Sequence, residues 1–385
     1  MQSWNKQNPE DAIGSLEDLY GGKLDLEQRI ETIRHLDRFF PCSEITPAPQ
    51  TSSITERLID LSDLRFKSHD QNLSFQNYLD INCVTGLYIL KDGIKVYENY
   101  FHGNQSNTPW CAFSVTKSVT STLVGAAIAD GSIYSVNDLV SDYLPQLSVG
   151  AYSGVRLEDV LRMSSGVLWD ETYGDPQSER RKMLEVKHQQ QAGAILDFLK
   201  NLDRASEPGY QWKYNTGYTF VVGALLKAAV QRSLAIYLQE KIWHPLGMEF
   251  SARWWLDSPM GQEFGGGGIQ LRLRDLARFG EFLLKGGLIE GRQILPSDWI
   301  KNASSSFKVQ GSSIDYGYLF WLVPPDKGPL HQGAFKARGI YGQYLYMNPN
   351  ENLVVAAFGA RPKARAADSP IDDDDFLTSL VQYLS

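Results

Sequence analysis

The run Phe113-Ser114-Val115-Thr116-Lys117-Ser118 sets a serine hydroxyl and a lysine amine three residues apart. Val115, Val119, Leu123 and Ala127 recur at helical spacing directly after Ser114, and Gly131 supplies a stop. A helix opening there puts Ser114 and Lys117 one turn apart on the same face. A serine hydroxyl is a poor nucleophile until a base takes its proton. A lysine is that base only when neutral, and burial among apolar groups lowers its pKa. The positive potential of the helix N-terminus favours a developing alkoxide and disfavours the ammonium. The chemistry on offer is acyl transfer through Ser114, with Lys117 as general base. Alone, the same spacing also fits a serine N-cap followed by a surface lysine.

Other chemistries find little support. There is no G-x-S-x-G elbow, no GxxxxGK[ST] loop and no HExxH helix. The histidines at 35, 69, 102, 188, 244 and 331 have no ligand spacing, and Cys42, Cys83 and Cys111 form no CxxC pair. Neither a metal nor an organic cofactor is expected. The run Gly265–Gly268 lacks the spacing of a dinucleotide fingerprint and reads as a close-packed turn.

Further motifs follow in a set order. Gly86-Leu87-Tyr88-Ile89-Leu90 and Val96-Tyr97-Glu98 precede the serine, then come Asp130-Gly131-Ser132-Ile133 and Leu161-Arg162-Met163-Ser164-Ser165-Gly166. Pro208-Gly209-Tyr210-Gln211-Trp212-Lys213-Tyr214-Asn215-Thr216-Gly217 comes next, and Gly266-Gly267-Gly268 is followed by Arg274-Asp275-Leu276-Ala277-Arg278-Phe279-Gly280. Each is weak alone. In this order, over roughly residues 80 to 385, the chain resembles the serine β-lactamase and penicillin-binding-protein superfamily. The likeness is to its class C-like branch of family VIII-type carboxylesterases, D-peptidases and 6-aminohexanoate-dimer hydrolases.

The resemblance implies roles. Tyr214 matches the tyrosine that lies beside the lysine, shares the serine's proton and passes it to the leaving group. The asparagine of the Tyr-x-Asn motif is displaced: Thr216 stands in its place and Asn215 falls one position early, so Asn215 is the candidate to meet a substrate amide. Ala337-Arg338-Gly339 matches the third motif, with Ala337 where a cation or ring is usual and Lys336 and Arg338 beside it. That departure disfavours a β-lactamase or D-peptidase, which must hold a substrate carboxylate. The backbone N–H groups of Ser114 and Ile340 are the implied oxyanion hole, worth about 3–4 kcal/mol per donor, with Gly339 allowing close approach. Tyr173, in Trp169-Asp170-Glu171-Thr172-Tyr173-Gly174-Asp175-Pro176, matches a tyrosine that contacts the scissile amide; a solvated acidic turn fits that loop equally well.

These groups need elements to hold them. Val84–Leu90 and Ile94–Phe101, joined by Lys91-Asp92-Gly93, predict a hairpin. Tyr316–Val323, Ile340–Met347 and Leu353–Phe358 predict three late strands, and Phe376–Leu384 a closing helix. Residues 114–299 read as mainly helical, with Tyr218–Gln231, Leu234–Trp243 and Arg274–Lys285 as helices. The expected fold is α+β: one antiparallel sheet from about 76–113 and 300–385, flanked by helices, with the helical region to one side. Residues 1–75 read as an N-terminal extension ahead of a hydrolase domain at 76–385, with Leu24–Phe40 helical in spacing.

Composition narrows the partners. With 37 basic and 45 acidic residues the net charge is −8, which argues against nucleic acid. The first twenty residues carry Lys6, Glu10, Asp11, Glu17 and Asp18 with no apolar core, so no secretory signal is expected. No apolar run approaches the roughly 20 residues that span a bilayer. The expectation is a cytoplasmic protein with a small ester or amide as substrate and no membrane partner; a homodimer is compatible with the sequence, which fixes no oligomeric state. The leading activity is hydrolysis of short-chain esters, followed by amides including 6-aminohexanoate oligomers, then β-lactams. A ligand sensor built on the same pocket is the reading from a different class, and intact Ser114, Lys117 and Tyr214 count against it.

Overall fold

A computed structural model describes residues 13–385. Residues 1–12, which hold Lys6, Glu10 and Asp11, lie outside the described residues. In chain order come α1 (Leu16–Tyr20), α2 (Leu26–Arg34), β1 (Cys42–Ile45), a hairpin of β2 (Arg65–Ser68) and β3 (Gln71–Ser74), and α3 (Phe75–Ile81). Both α2 and α3 open on capping boxes, Asp25 with Gln28 and Ser74 with Asn77. Then follow β4 (Val84–Lys91), β5 (Ile94–Tyr100), β6 (Trp110–Cys111) and α4 (Val115–Ala129). Beyond them lie α5 (Glu179–His188), α6 (Thr216–Val230), β7 (Ala252–Trp255), β8 (Ile269–Leu271) and α7 (Leu273–Leu284). The chain closes with β9 (Trp321–Leu322), β10 (Phe335–Gly339), β11 (Gln343–Asn348), β12 (Leu353–Gly359) and α8 (Asp373–Leu384).

The early hairpin and late strands form one six-stranded sheet in the order β9-β10-β11-β12-β4-β5, antiparallel throughout. Asp92 (φ 55°) and Gly93 (φ 74°) are both left-handed at the β4–β5 turn, as a tight hairpin twisted with its strands requires. One face is covered by α3 and α8, where Phe75, Tyr78, Phe376 and Leu380 pack on Ile89 and Val355. The other face meets α4 and α7 in the main core. Helix α4 is buried on every side from Val115 to Ala127 and so runs through that core rather than over it.

Several expectations change. Tyr316–Val323 yields only β9, and Ile340–Met347 begins as a strand at Gln343, because Tyr341 is left-handed (φ 64°) and breaks the extended path. Strand β10 was not expected, since Lys336 and Arg338 spoil its apolar pattern; both cations are spent in ion pairs with Asp374 and Asp373 of α8. The helical block also holds β7 and β8, which join β1 and β6 in a second antiparallel sheet ordered β1-β7-β8-β6. Helix α7 belongs with the main sheet: Gly280 comes so close that an added Cβ would lie 2.6 Å from Val354 and 2.7 Å from Leu345.

The segment set apart as an extension is, from Ile13 on, woven into the body. Arg29 Nε donates to the Ala360 carbonyl at 2.7 Å, and the Tyr341 hydroxyl donates to the Leu19 carbonyl at 2.7 Å. Among the described residues no single helix is long and apolar enough to cross a membrane; α6 and Leu234–Trp243 reach that length only together, bent by 74°.

Candidate active site

Ser114 stands at the N-cap position of α4, and its side chain caps nothing, so the hydroxyl is left for other partners. Phe113 before it is left-handed (φ 46°), an uncommon state for a residue with a Cβ, and its ring packs 5.5 Å from that of Tyr341. Two positive-φ residues thus meet where α4 begins and β10 ends.

Lys117 follows one turn into α4 and is 1% exposed. Its Nζ lies 3.0 Å from Ser114 Oγ, 3.1 Å from Thr216 Oγ1 and 2.7 Å from the Gly266 carbonyl. Burial lowers its pKa to about 7, with Glu171 pulling it back up and Arg180 pushing it further down. The glycine run is the close-packed turn its composition suggests. An added Cβ at Gly266 would lie 2.4 Å from Thr219 Oγ1 and 2.9 Å from Thr216 Cγ2, so only glycine brings that carbonyl to the amine.

Tyr214 lies just ahead of α6. Its ring stacks on Trp321 at 5.5 Å, and Lys117 Nζ sits 5.1 Å from the ring centre. Burial raises the phenol's pKa, Glu171 raises it further, and the Ser114 hydroxyl within hydrogen-bond reach lowers it only in part. Desolvation outweighs the groups that favour ionisation. Tyr214 is held as a phenol, a donor.

Asn215 caps a helix through its Oδ1, and its Nδ2 is buried without a partner among the described residues. It is the N-cap of α6, its Oδ1 accepting from Tyr218 N at 3.0 Å, and it is 0% exposed. An asparagine immediately before an apolar helical run is the N-cap signal that would have given this role. Thr216, one residue on, takes the place beside Lys117. Tyr173 is half-buried, stacked 5.9 Å from Tyr20, with its hydroxyl donating to Glu171 Oε1 at 3.2 Å.

Glu171 was passed over as part of an acidic loop, yet it is the hub of this wall. Its Oε2 accepts from Trp169 Nε1 at 2.6 Å and Thr216 N at 2.9 Å, and its Oε1 accepts from Thr216 Oγ1 at 2.5 Å. Arg180 Nε lies 3.8 Å from the same carboxylate.

Opposite lies the end of β10. An added Cβ at Gly339 would fall 2.5 Å from the Ala112 carbonyl, so glycine lets this strand approach the chain just ahead of Ser114, with Ile340 next in line. Ala337 is fully buried, while Lys336 and Arg338 turn to α8 on the far side of the sheet. Neither cation faces the α4 side. Among the described residues no three His, Cys, Asp or Glu side chains are grouped to hold a metal.

Residues 84–376 match the model of the beta-lactamase family. The chain is 23% identical over 337 residues to the 6-aminohexanoate-dimer hydrolase of Paenarthrobacter ureafaciens, covering 84% of this chain and 80% of that protein. A Bacillus anthracis structure described as a candidate 6-aminohexanoate-dimer hydrolase superposes with a TM-score of 0.83 at 22% identity, over 98% of this chain and 97% of that one. The structure of a family VIII carboxylesterase shares the fold with a TM-score of 0.61 at 18% identity, over 80% of this chain and 94% of that one.

Proposed function

The chain belongs to the beta-lactamase family and is a serine hydrolase, and from that premise we propose that it cleaves small linear amides and carboxylic esters through an acyl-enzyme on Ser114. The observation that carries this is Lys117: 1% exposed, pKa brought to about 7, its Nζ 3.0 Å from Ser114 Oγ. An amine that is half neutral near pH 7 can take the serine proton as Oγ attacks the carbonyl carbon. The electron pair of the C=O bond moves to oxygen, where the N–H groups of Ser114 and Ile340 receive it. Collapse expels the leaving group, which takes a proton from Tyr214 while Lys117 returns one to the phenol. Water then attacks the acyl-enzyme by the same route reversed. No step calls for a metal or an organic cofactor.

Amides rank with esters for a specific reason. An amine leaves only once protonated, and Tyr214, kept protonated by burial, is the donor such a step needs. The relatives named for 6-aminohexanoate dimers point the same way. β-Lactams and D-alanyl peptides rank lower, because Ala337 offers their carboxylate no charge. The test is turnover of p-nitrophenyl butyrate, 6-aminohexanoate dimer, nitrocefin and a D-alanyl peptide by the wild type and by Ser114→Ala. Ester and amide turnover lost in Ser114→Ala is expected; turnover that survives the substitution would sink the proposal.

A further inference from the structure

We propose that Glu171, acting through the Thr216 hydroxyl, fixes the direction of the Lys117 lone pair and so decides whether the amine can accept the proton of Ser114; this rests on Ser114 being the nucleophile and Lys117 its base. A neutral amine has two N–H donors and one lone pair. Lys117 Nζ has three neighbours: the Gly266 carbonyl at 2.7 Å, Thr216 Oγ1 at 3.1 Å and Ser114 Oγ at 3.0 Å. The carbonyl can only accept, so it takes one N–H. Thr216 Oγ1 could donate or accept, and Glu171 settles which. An ionised carboxylate only accepts, and Glu171 Oε1 lies 2.5 Å from that hydroxyl. The Thr216 proton therefore points to Glu171, its lone pair faces Lys117, and the second N–H is taken. The lysine lone pair is left with Ser114, whose O–H must donate to it.

The other carboxylate oxygen makes the device testable. Glu171 Oε2 accepts from two N–H donors, Trp169 Nε1 at 2.6 Å and Thr216 N at 2.9 Å. In Glu171→Gln the amide oxygen must take that position, since an NH2 there would oppose two donors. The amide NH2 then faces Thr216 and donates to it. The Thr216 proton turns toward Lys117 and occupies the lone pair meant for Ser114. Glu171→Gln thus inverts the chain of donors, whereas Thr216→Val only removes it.

Charge acts alongside. The groups facing Lys117 are Glu171, Arg180 of α5 and the phenol of Tyr214; Glu171 raises the lysine pKa and Arg180 lowers it. Glu171 is itself faced by Arg180 Nε at 3.8 Å and the Tyr173 hydroxyl at 3.2 Å. Glu171 touches no reacting atom, and Thr216 touches only Lys117 Nζ; both act through the lysine and are positioning residues.

The experiment compares Glu171→Gln, Thr216→Val and Thr216→Ser with wild type, using p-nitrophenyl butyrate turnover across pH and fluorophosphonate labelling of Ser114. Glu171→Gln should lose kcat on the order of 10²-fold, the scale of a misplaced reacting group, with KM within about twofold. Thr216→Val should lose less than Glu171→Gln, and Thr216→Ser, which keeps the hydroxyl, should stay near wild type. The acidic limb of kcat/KM should move to lower pH in Glu171→Gln, because a negative charge beside the lysine has gone. Wild-type kcat in Glu171→Gln would overturn the proposal, as would Thr216→Ser failing as badly as Thr216→Val, or a kcat loss with the limb unmoved. Should Glu171→Gln not fold, the Val and Ser pair decides alone. A wild type that neither turns over ester nor labels at Ser114 would instead remove the serine-hydrolase reading beneath.

Discussion

On the proposed mechanism Lys117 sets the pH range in which the site works. Only the neutral amine takes a proton, and burial brings its pKa from the ordinary 10.5 to about 7. As pH falls through that value the amine becomes an ammonium and the base is lost, so kcat/KM should rise with pH and reach half its plateau near pH 7, a profile that a plain rate measurement on an ester checks. Tyr214→Phe keeps the ring on Trp321 and deletes the hydroxyl. It should lower amide turnover by roughly 10²–10⁴-fold, the range for one positioned acid–base group, and turnover of p-nitrophenyl esters by much less, since p-nitrophenolate leaves without a proton. Equal losses on matched substrates would make Tyr214 a positioning residue. Ser114 and Lys117 were legible in the sequence because they are three apart at the head of a clear helical period. Glu171 was not, and Thr216 was seen only as the residue in the asparagine's place; the two are 45 residues apart, with a contact made only by folding. Asn215 was named from a motif frame; its place before an apolar helix also marks it as an N-cap.

At the level of elements, the site is a junction of α4, the start of α6, the glycine turn before β8, and the end of β10. What holds β10 near α4 is the missing side chain at Gly339. Gly339→Ala would set a Cβ 2.5 Å from the Ala112 carbonyl, and something must shift. Overpacking of this kind costs about 1–3 kcal/mol. The melting temperature should drop, and kcat should fall with it, because the Ile340 N–H moves with the strand; an unchanged kcat would detach Ile340 from the oxyanion hole. The hairpin β4–β5 and strand β12 could be read from alternation and turn residues. Strand β10 could not, because Lys336 and Arg338 look solvent-facing until α8 brings Asp374 and Asp373 to them. The second sheet stayed hidden for a similar reason, its two- to four-residue strands being too short to show a period.

For the whole molecule, the amino-terminal segment was the hardest part to place. Its lone helical stretch, Leu24–Phe40, looked separable, yet the segment's partners lie at the far end of the chain: Leu19 with Tyr341 and Arg29 with Ala360. Tyr20 also stacks on Tyr173, on the wall built around Glu171. A chain begun at residue 76 should therefore lose cooperative melting and ester turnover together. Full activity in such a chain, measured beside the intact protein, would return the segment to the status of an appendage.

Those long-range partners also put the molecule on a clock. The ribosome makes α1 and α2 first and the residues they bond to more than three hundred positions later, at separations of 322 and 331. Strand β4, made early, pairs with β12, made late, so the central sheet too waits on the carboxyl-terminal part. Contacts of such high sequence separation form slowly, and surfaces that await them stay exposed in the meantime. Ser114 and Lys117 are synthesised within the first third of the chain, but the strand that ends at Gly339, just before Ile340, is not. On the proposed mechanism a nascent chain would hold its nucleophile and base long before its oxyanion hole, and would stay silent until the last strands arrive.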